Sequence, residues 1–547
     1  MLYPIRSARS PDVDSGRAFR FFYAFPAEPA PLPLQYRGCG GGRRRMRLRW
    51  FSMPLVVGFM LFLCVVLLAV NFFELNWIQY EHNKFHHEQE PYGRPPPSPL
   101  SSQRHVEAAK RPSYIVLAKH ADAGHLVHVF DVFNVYGYTR RPFDKKVEWD
   151  VIWAHEYPFK VYADQIMFSD LKPHQKVNHF PGVGFITNKI DLATSNIKYV
   201  PPAFHMPKEK SKFFTFAKQY PHKLFVQKQN NHRGIKIKSI KELDFNSNGT
   251  FIQEYIDNPL LIDGYKFDIG VYTIITSIDP LRVYIYNGDI LFRFCPEKYH
   301  PFDPDNIDKY VIGDDYLPTW NVPSLKKYYV DQGASMKVSV ESHLKAQGRD
   351  ATKIWDQLED AIRVVCLEKE SMIRNLMRNY KSKTNFFEMA RFDFVVDNDL
   401  KVYIMEVNMS PNLSSAHYKP NRLLYEQVLF NLFAIVGLTH FERKGDSMAV
   451  STKNIVAYPE KCARLNCDQC DSEDCLLCKP CMDWDTKVQF TNAYREYIDR
   501  HDCKRVFPPK FNPNFLNNSE DLSSYSLKTR LMYKWFKGKC IADTEWC

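Results

Sequence analysis

Short apolar runs alternate along the chain with longer stretches that place an apolar residue every third or fourth position, from Ser113 to about Gly437. "SYIVLAKH", beginning at Ser113, reads as a buried first strand. "FDIGVYTII", 267–275, alternates as a half-buried strand does, except that Gly270 puts no side chain at its middle. "RFDFVVD" and "KVYIMEVN" predict two strands joined through the turn "NDL", a hairpin. "ATKIWDQLEDAIRVVCLEKESMIRNLMRN", 351–379, has the period of an amphipathic helix, and "NRLLYEQVLFNLFAIVGL" that of a second, which Gly437 ends. This order predicts a mixed α/β (α+β) domain of enzyme size, and no internal repeat interrupts it.

One segment follows a different rule. "WFSMPLVVGFMLFLCVVLLAV", Trp50 to Val70, carries no charge, and about 20 residues of helix at about 1.5 Å each cross about 30 Å of hydrocarbon. Arg43, Arg44, Arg45, Arg47 and Arg49 precede it and Glu74, Glu81, Glu88 and Glu90 follow, so the positive-inside bias places the N-terminus in the cytoplasm. The expected plan is a disordered basic cytoplasmic tail over 1–49, a transmembrane signal-anchor over 50–71 and a Pro-rich stem over 72–112. A catalytic domain over 113–440 and a cysteine-rich region over 441–547 follow. The protein is then expected to be a single-pass type II membrane protein whose folded part is lumenal or extracellular, in the secretory pathway.

Cysteine usage bears on that orientation. Nine of the 13 cysteines lie from Cys462 onward. In an oxidising lumen they pair as disulfides, whereas in the cytosol Cys467/Cys470 and Cys475/Cys478 have the spacing of zinc ligands. The anchor and the cysteine density together favour disulfides. The eleven cysteines beyond the apolar span, an odd number, leave at least one unpaired or intermolecular. The sequons at Asn248, Asn412 and Asn517 suit glycosylation. A chain of 547 residues, 45% hydrophobic and 15% aromatic, is globular, and its net charge of +11 owes five arginines to one short stretch. A nucleic-acid partner is therefore not expected.

The chemistry concentrates in a few stretches. Residues two apart on a strand face the same way, so Glu406 and Asn408 project together and Asp393 joins them from the partner strand. Three hard oxygen donors on rigid elements are what Mg²⁺ takes, although a solvated hairpin face has the same pattern. "LFVQKQNNHRGIKI" delivers Lys228 from a strand into a polar loop with Arg233 and Gly234, an arrangement for phosphates that equally describes a loop between edge strands. It is not a GxxxxGK loop. Lys266 and Asp268 follow, two apart on one strand face.

The order of "VNHFPG", "ITNKIDL", "FVQK…RGI", "IQEYIDNPLLIDGYKFD", "PLRVYIY…LFRF" and "FDFVVDNDLKVYIMEVNMSPNL", from about residue 177 to 413, resembles the tubulin tyrosine ligase-like family. The resemblance implies an ATP-grasp fold and an ATP- and Mg²⁺-dependent ligase of the polyglutamylase type. Such a ligase joins glutamate or another amino acid to protein carboxylates, with tubulin as the usual acceptor. By similarity Lys189 and Lys228 contact the phosphates, and Arg233, Gly234 and Ile235 belong to the lid over them. Gln253, Glu254, Tyr255 and Ile256 form the adenine pocket, Lys266 and Asp268 complete the nucleotide site, and Asp393, Glu406 and Asn408 bind Mg²⁺. Arg293 is the catalytic cation.

The chain departs from the family pattern on the substrate side. Where the family reads "KFDxRxY" this chain has "KFDIGVY", so Gly270 stands at an arginine position, and "YLPTWN", 316–321, replaces "HLTN". Lys228-Gln229 replaces lysine-proline, and Arg391 stands where "FELFGFD" has glycine. Arg391 and Lys236 are candidates for the missing charge. Three readings follow: a membrane-anchored ligase acting on a lumenal protein, a nucleotide-binding scaffold impaired by Gly270, and a cytosol-facing microtubule-associated ligase whose cysteines hold zinc. Gly270→Arg is expected to raise activity if the site is merely weakened and to change nothing if the substrate pocket is lost.

Overall fold

The computed structural model describes residues 111–547 apart from 121, 123, 145, 230–234, 440–451, 466 and 517–519. The expected tail, anchor and nearly all of the stem lie outside the described residues, as do Arg233, Gly234 and the Asn517 sequon. Among the described residues no helix is long and apolar enough to cross a membrane.

The fully buried run SYIVL forms β1 (Ser113–Leu117), which pairs in parallel with β2 (Thr139–Arg140) and β3 (Val151–Ala154); β3 in turn pairs with β4 (Lys176–Val177). A second sheet is antiparallel, in the order β5 (Ala203–Met206), β8 (Thr250–Glu254), β6 (Phe225–Gln229), β7 (Lys236–Lys238). It has a small core of its own, in which Met206, Phe213, Phe225 and Ile252 meet.

The third sheet carries the chemistry. Its strands are β9 (Leu261–Ile262), β10 (Tyr265–Ile278), β11 (Leu281–Tyr286), β12 (Leu291–Lys298), β13 (Leu317–Pro318), β14 (Glu388–Val396), β15 (Val402–Asn408) and β16 (Cys503–Phe507). β10 is its axis: β14 lies along Ile269–Ile275 on one side, while β12 pairs with Tyr265–Gly270 and β11 with Thr273–Ile278 on the other. FDIGVYTII is therefore buried on both faces rather than half-buried. Its polar alternation marks a face turned toward buried charge, not toward water.

The expected hairpin is β14–β15, with Asp393 opposite Glu406. The first expected helix spans Thr352–Met377 and buries Ile354, Leu358, Ile362, Val365, Ile373 and Met377 at spacings of three, four and eight residues. The second spans Asn421–Ile435, and Gly437, at φ +79°, ends it as an achiral residue can.

The C-terminal region is not a separate appendage. β16 extends the central sheet by pairing with β11, Val283 opposite Phe507 and Tyr286 opposite Cys503. The helix Trp484–Ile498 brings Glu496 against the same strand. Arg282 Nε and Nη2 donate to Glu496 at 2.9 and 3.0 Å, and Tyr284 and Thr276 hydroxyls donate to it at 3.0 and 2.9 Å. Arg282 is 2% and Glu496 6% exposed, so both charges have exchanged water for one another.

The cysteines resolve into disulfides Cys462–Cys478, Cys467–Cys475, Cys470–Cys481 and Cys540–Cys547. Each CxxC pair is divided between two bridges, which leaves no set of four thiolates for zinc. Cys295, Cys366 and Cys503 are free, and all three are buried. Burial pushes the Cys366 and Cys503 thiols up to about 12, so they are poor nucleophiles.

Candidate active site

Strand register gathers the expected residues on one face. Asp268, Gly270 and Tyr272 alternate along β10. Across it Asp268 faces Arg293 of β12, Gly270 faces Asp393 of β14 and Tyr272 faces Arg391. β15 continues the row, with Glu406 opposite Asp393 and Asn408 opposite Arg391. Four strands thus present two arginines, three carboxylates and an amide side by side.

The charges interlock. Arg293 donates from Nε and Nη2 to Asp268 at 3.0 and 2.6 Å and from Nη2 to Asp393 at 3.0 Å. Arg391 forms a fork on Asp393, Nε to Oδ1 at 2.6 Å and Nη2 to Oδ2 at 2.8 Å. Burial raises the Asp268 carboxyl, against the opposing pull of Arg293. Asn408 donates to Asp393 at 2.9 Å and to Glu406 at 3.1 Å, so all three expected metal ligands meet at one point. Burial would raise the Glu406 carboxyl, but the Lys189 ammonium at 2.6 Å, with Asn408 and Arg391, holds it down to about 2. Two carboxylates converge there, one of them firmly anionic, with the Asn408 amide nitrogen turned toward them; this donor set fits Mg²⁺ once the amide presents its oxygen.

The nucleotide side is built on different elements. Lys189 opens the helix Lys189–Ala193, whose cap is Asn188, its side chain accepting from the backbone N–H groups of Ile190 and Asp191. Lys228 leaves β6 and donates to Gln253 of β8 at 2.9 Å, and Gln253 donates to the Pro201 carbonyl at 3.2 Å. Glu254 is paired with Lys223, a contact the sequence reading did not anticipate. Tyr255 and Ile256 are buried, and Ile235 packs against the cluster of Tyr255, Tyr299 and Tyr310. Lys266 is buried two residues before Asp268.

Burial lowers the Lys228 ammonium to about 8; Glu406 opposes this, and Lys189 and Lys266 add to it. Three lysines from three elements therefore crowd one place. A lysine lowered from its usual 10.5 in the folded state binds fewer protons than the unfolded chain between about pH 8 and 10.5, so stability rises with pH across that window. A polyphosphate reverses the preference by favouring the charged form. Mg-ATP binding at pH 8.5 is expected to take up a proton, seen as a binding enthalpy that varies with the ionisation heat of the buffer. Lys228→Met removes that variation, and an enthalpy independent of buffer in the wild type would refute the assignment.

Gly270 is not vacant space. A Cβ built on it would lie 2.9 Å from Arg391 Cδ, 3.2 Å from Arg391 Nε and 3.4 Å from Asp393 Oδ1. The Arg391 side chain runs diagonally across the sheet and fills the volume that a side chain at 270 would need. Against the expectation that Gly270→Arg alone raises activity stands this contact: a side chain added there must shift Arg391. Of the two candidate cations, Arg391 is in the site; the side chain of Lys236 lies outside the described residues.

The departure "YLPTWN" also has a place. Tyr316 accepts from Asn421 Nδ2 at 2.7 Å and its ring lies 4.2 Å from that of Tyr418. Thr319 is fully buried. No signal in the sequence singled out Tyr272 or Asn421, since each lies within a strand or helix that local period alone predicts.

Comparison with known proteins agrees with this geometry. The model of the tubulin-tyrosine ligase family matches residues 167–444. The probable tubulin polyglutamylase ttll-15 of Caenorhabditis elegans is 42% identical over 456 residues, 80% of this chain and 87% of that protein. The tubulin polyglutamylase TTLL6 of Mus musculus is 29% identical over 320 residues, 54% of this chain and 38% of that protein. A probable beta-tubulin polyglutamylase of Tetrahymena thermophila is 31% identical over 300 residues, 50% of this chain and 24% of that protein. The chain thus spans less than half the length of the last two. Since the family model covers half of the chain and the nematode relative aligns along most of both lengths, this chain belongs to the tubulin-tyrosine ligase family.

Proposed function

We propose that the protein is an ATP- and Mg²⁺-dependent ligase that joins glutamate, or another amino acid, to the carboxylates of an acceptor protein. The observation that carries this reading is the crowding of Lys189, Lys228 and Lys266 beside the Asp393–Glu406–Asn408 cluster. Three lysines, of which Lys189 is ion-paired with Glu406 and Lys228 is held by a neutral amide, suit a polyphosphate and its cation better than any neutral ligand. Bound Mg²⁺ would neutralise charge on the transferring phosphoryl group. Lys228 and Lys266 would hold the phosphates, while Arg293, anchored by Asp268, would stabilise negative charge at the reacting carboxyl. The acceptor carboxylate takes the γ-phosphoryl of ATP and releases ADP. The incoming amine then displaces phosphate and loses a proton, which leaves an amide.

The acceptor follows from topology. The relatives are named as tubulin polyglutamylases, which makes tubulin the acceptor if the domain faces the cytosol. The apolar span, the arginines before it and four disulfides support a type II membrane protein with a lumenal domain, and hence a lumenal or secreted acceptor. Asn248 is exposed at a turn and available to a glycan.

Two measurements test the reading. Labelled glutamate is expected to enter acceptor protein only with ATP, and not in Glu406→Gln; equal silence of both, with ATP still bound, makes the protein a nucleotide-binding scaffold. Glycosidase is expected to reduce the mass of the wild type by one glycan more than that of Asn248→Gln. An identical shift in both, with the domain open to cytosolic protease, reverses the topology and restores tubulin.

A further inference from the structure

We propose that the substrate-side arginine of this site has moved from one strand to its neighbour: Arg391 of β14 does the work of a side chain at 270 on β10, and residue 270 is glycine to make room for it. The proposal rests on the ligase reading above and specifies how its substrate side is built.

Four observations on the same face carry it. Gly270 sits directly opposite Asp393, and Arg391 is the next residue on β14 that points the same way. The Arg391 stem, not solvent, lies where a Cβ at 270 would be, 2.9 Å from Cδ. Real Cβ atoms essentially never approach that closely, so a side chain at 270 requires Arg391 to move from its present path. The guanidinium ends as a fork on Asp393, the carboxylate that Arg293 also reaches at 3.0 Å. One step along the row Tyr272, opposite Arg391 and 1% exposed, has a hydroxyl that finds no acceptor among the described residues. The guanidinium nitrogen outside the fork, Nη1, and an unused hydroxyl proton form a donor pair for an anionic oxygen, the carboxylate of the incoming amino acid.

The glycine in β10 and the arginine in β14 are thus two halves of one change. Two independent losses would leave a hole at 270 and a stray charge at 391. Here the charge fills the hole. A glycine in a strand interior often marks the close approach of another group, and in this sheet that group is the diagonal arginine.

The test is a mutational cycle on the full-length chain: Gly270→Arg, Arg391→Gly, the two together, and Gly270→Ala with and without Arg391→Gly. Each member is assayed for ATP-dependent glutamate transfer, with KM for glutamate and for ATP measured separately. Each of Gly270→Arg and Arg391→Gly is expected to lower kcat/KM for glutamate by about a hundredfold or more, the usual loss for one charge-stabilising donor, and to move KM for ATP by much less, only so far as Asp393 loses its fork. The exchanged double variant is expected to recover to within about tenfold of the wild type, because coupled neighbours are non-additive. Gly270→Ala should impair the wild type and be silent beside Arg391→Gly.

Gly270→Arg at or above wild-type rate overturns the proposal, as does a double variant whose loss is the product of the two single losses. A merely structural Arg391 is revealed if Arg391→Gly moves KM for ATP and KM for glutamate alike. If the wild type transfers no amino acid at all, the ligase reading has failed. The exchange is then read from thermal unfolding and Mg-ATP binding, where the double variant must still recover what each single loses.

Discussion

Arg282→Ala is expected to destabilise the folded chain by about 3–5 kcal/mol, the range for removing one member of a buried ion pair. The substitution leaves Glu496, 6% exposed, without the two guanidinium bonds at 2.9 and 3.0 Å, and the remaining Tyr284 and Thr276 hydroxyls do not supply charge. Gln489 loses its partner as well, since it accepts from Arg282 Nη1 at 3.1 Å. Because the pair joins β11 to the helix Trp484–Ile498, the loss falls on the docking of the C-terminal region. The check is a denaturant unfolding curve beside limited proteolysis, with cleavage expected first between the catalytic domain and β16. Arg282→Met with Glu496→Leu is expected to recover most of the stability, because replacing a buried pair by apolar groups of similar size removes the cost of desolvation. A midpoint for Arg282→Ala indistinguishable from wild type would show that the pair does not hold the region in place.

Glu406→Gln is the second large effect, and it falls on chemistry rather than on folding. The Glu406 carboxyl is held down to about 2, so it is an anion near neutral pH and its replacement removes one full charge from the proposed metal site. The amide keeps the size of the side chain, and the strand it sits on is paired along its length with β14. Transfer is therefore expected to fall by at least about a hundredfold with the unfolding midpoint little moved. Nucleotide binding without Mg²⁺ is expected to persist, because Lys228 and Lys266 are untouched and Lys189 loses its ion-pair partner at 2.6 Å. A variant that transfers glutamate at the wild-type rate with an unchanged Mg²⁺ dependence would remove Glu406 from the metal site.

What the sequence revealed and what it hid follow one physical division. Local periodicity placed β14, β15 and the two long helices, since the period of two or of 3.6 is written into neighbouring residues. It placed Asp393, Glu406 and Asn408 together for the same reason: a hairpin brings its own residues into register. β10 differs from the half-buried strand its alternation predicts because period two reports which residues share a face, not what covers each face, and both Asp268 on one face and Thr273 on the other are buried. β16 went unread because "CKRVF" is short and carries a buried arginine, Arg505, whose guanidinium donates to the carbonyls of Pro508 and Trp546. Gly270 was visible as a departure, but its meaning depended on a diagonal contact between strands more than a hundred positions apart in sequence. Such contacts leave no local pattern.

The pairing of β11 with β16 also governs how the chain is made. Synthesis delivers every residue of the candidate site well before Cys503–Phe507 emerges, yet the sheet that holds the site keeps an open edge at β11 until then. An unpaired edge is a template for pairing with other chains. The nascent protein therefore passes through a long interval in which the residues of the candidate site exist but their scaffold is unfinished and prone to aggregation, and chaperone demand should peak there. A premature stop before β16 would then yield an insoluble chain rather than a shortened enzyme.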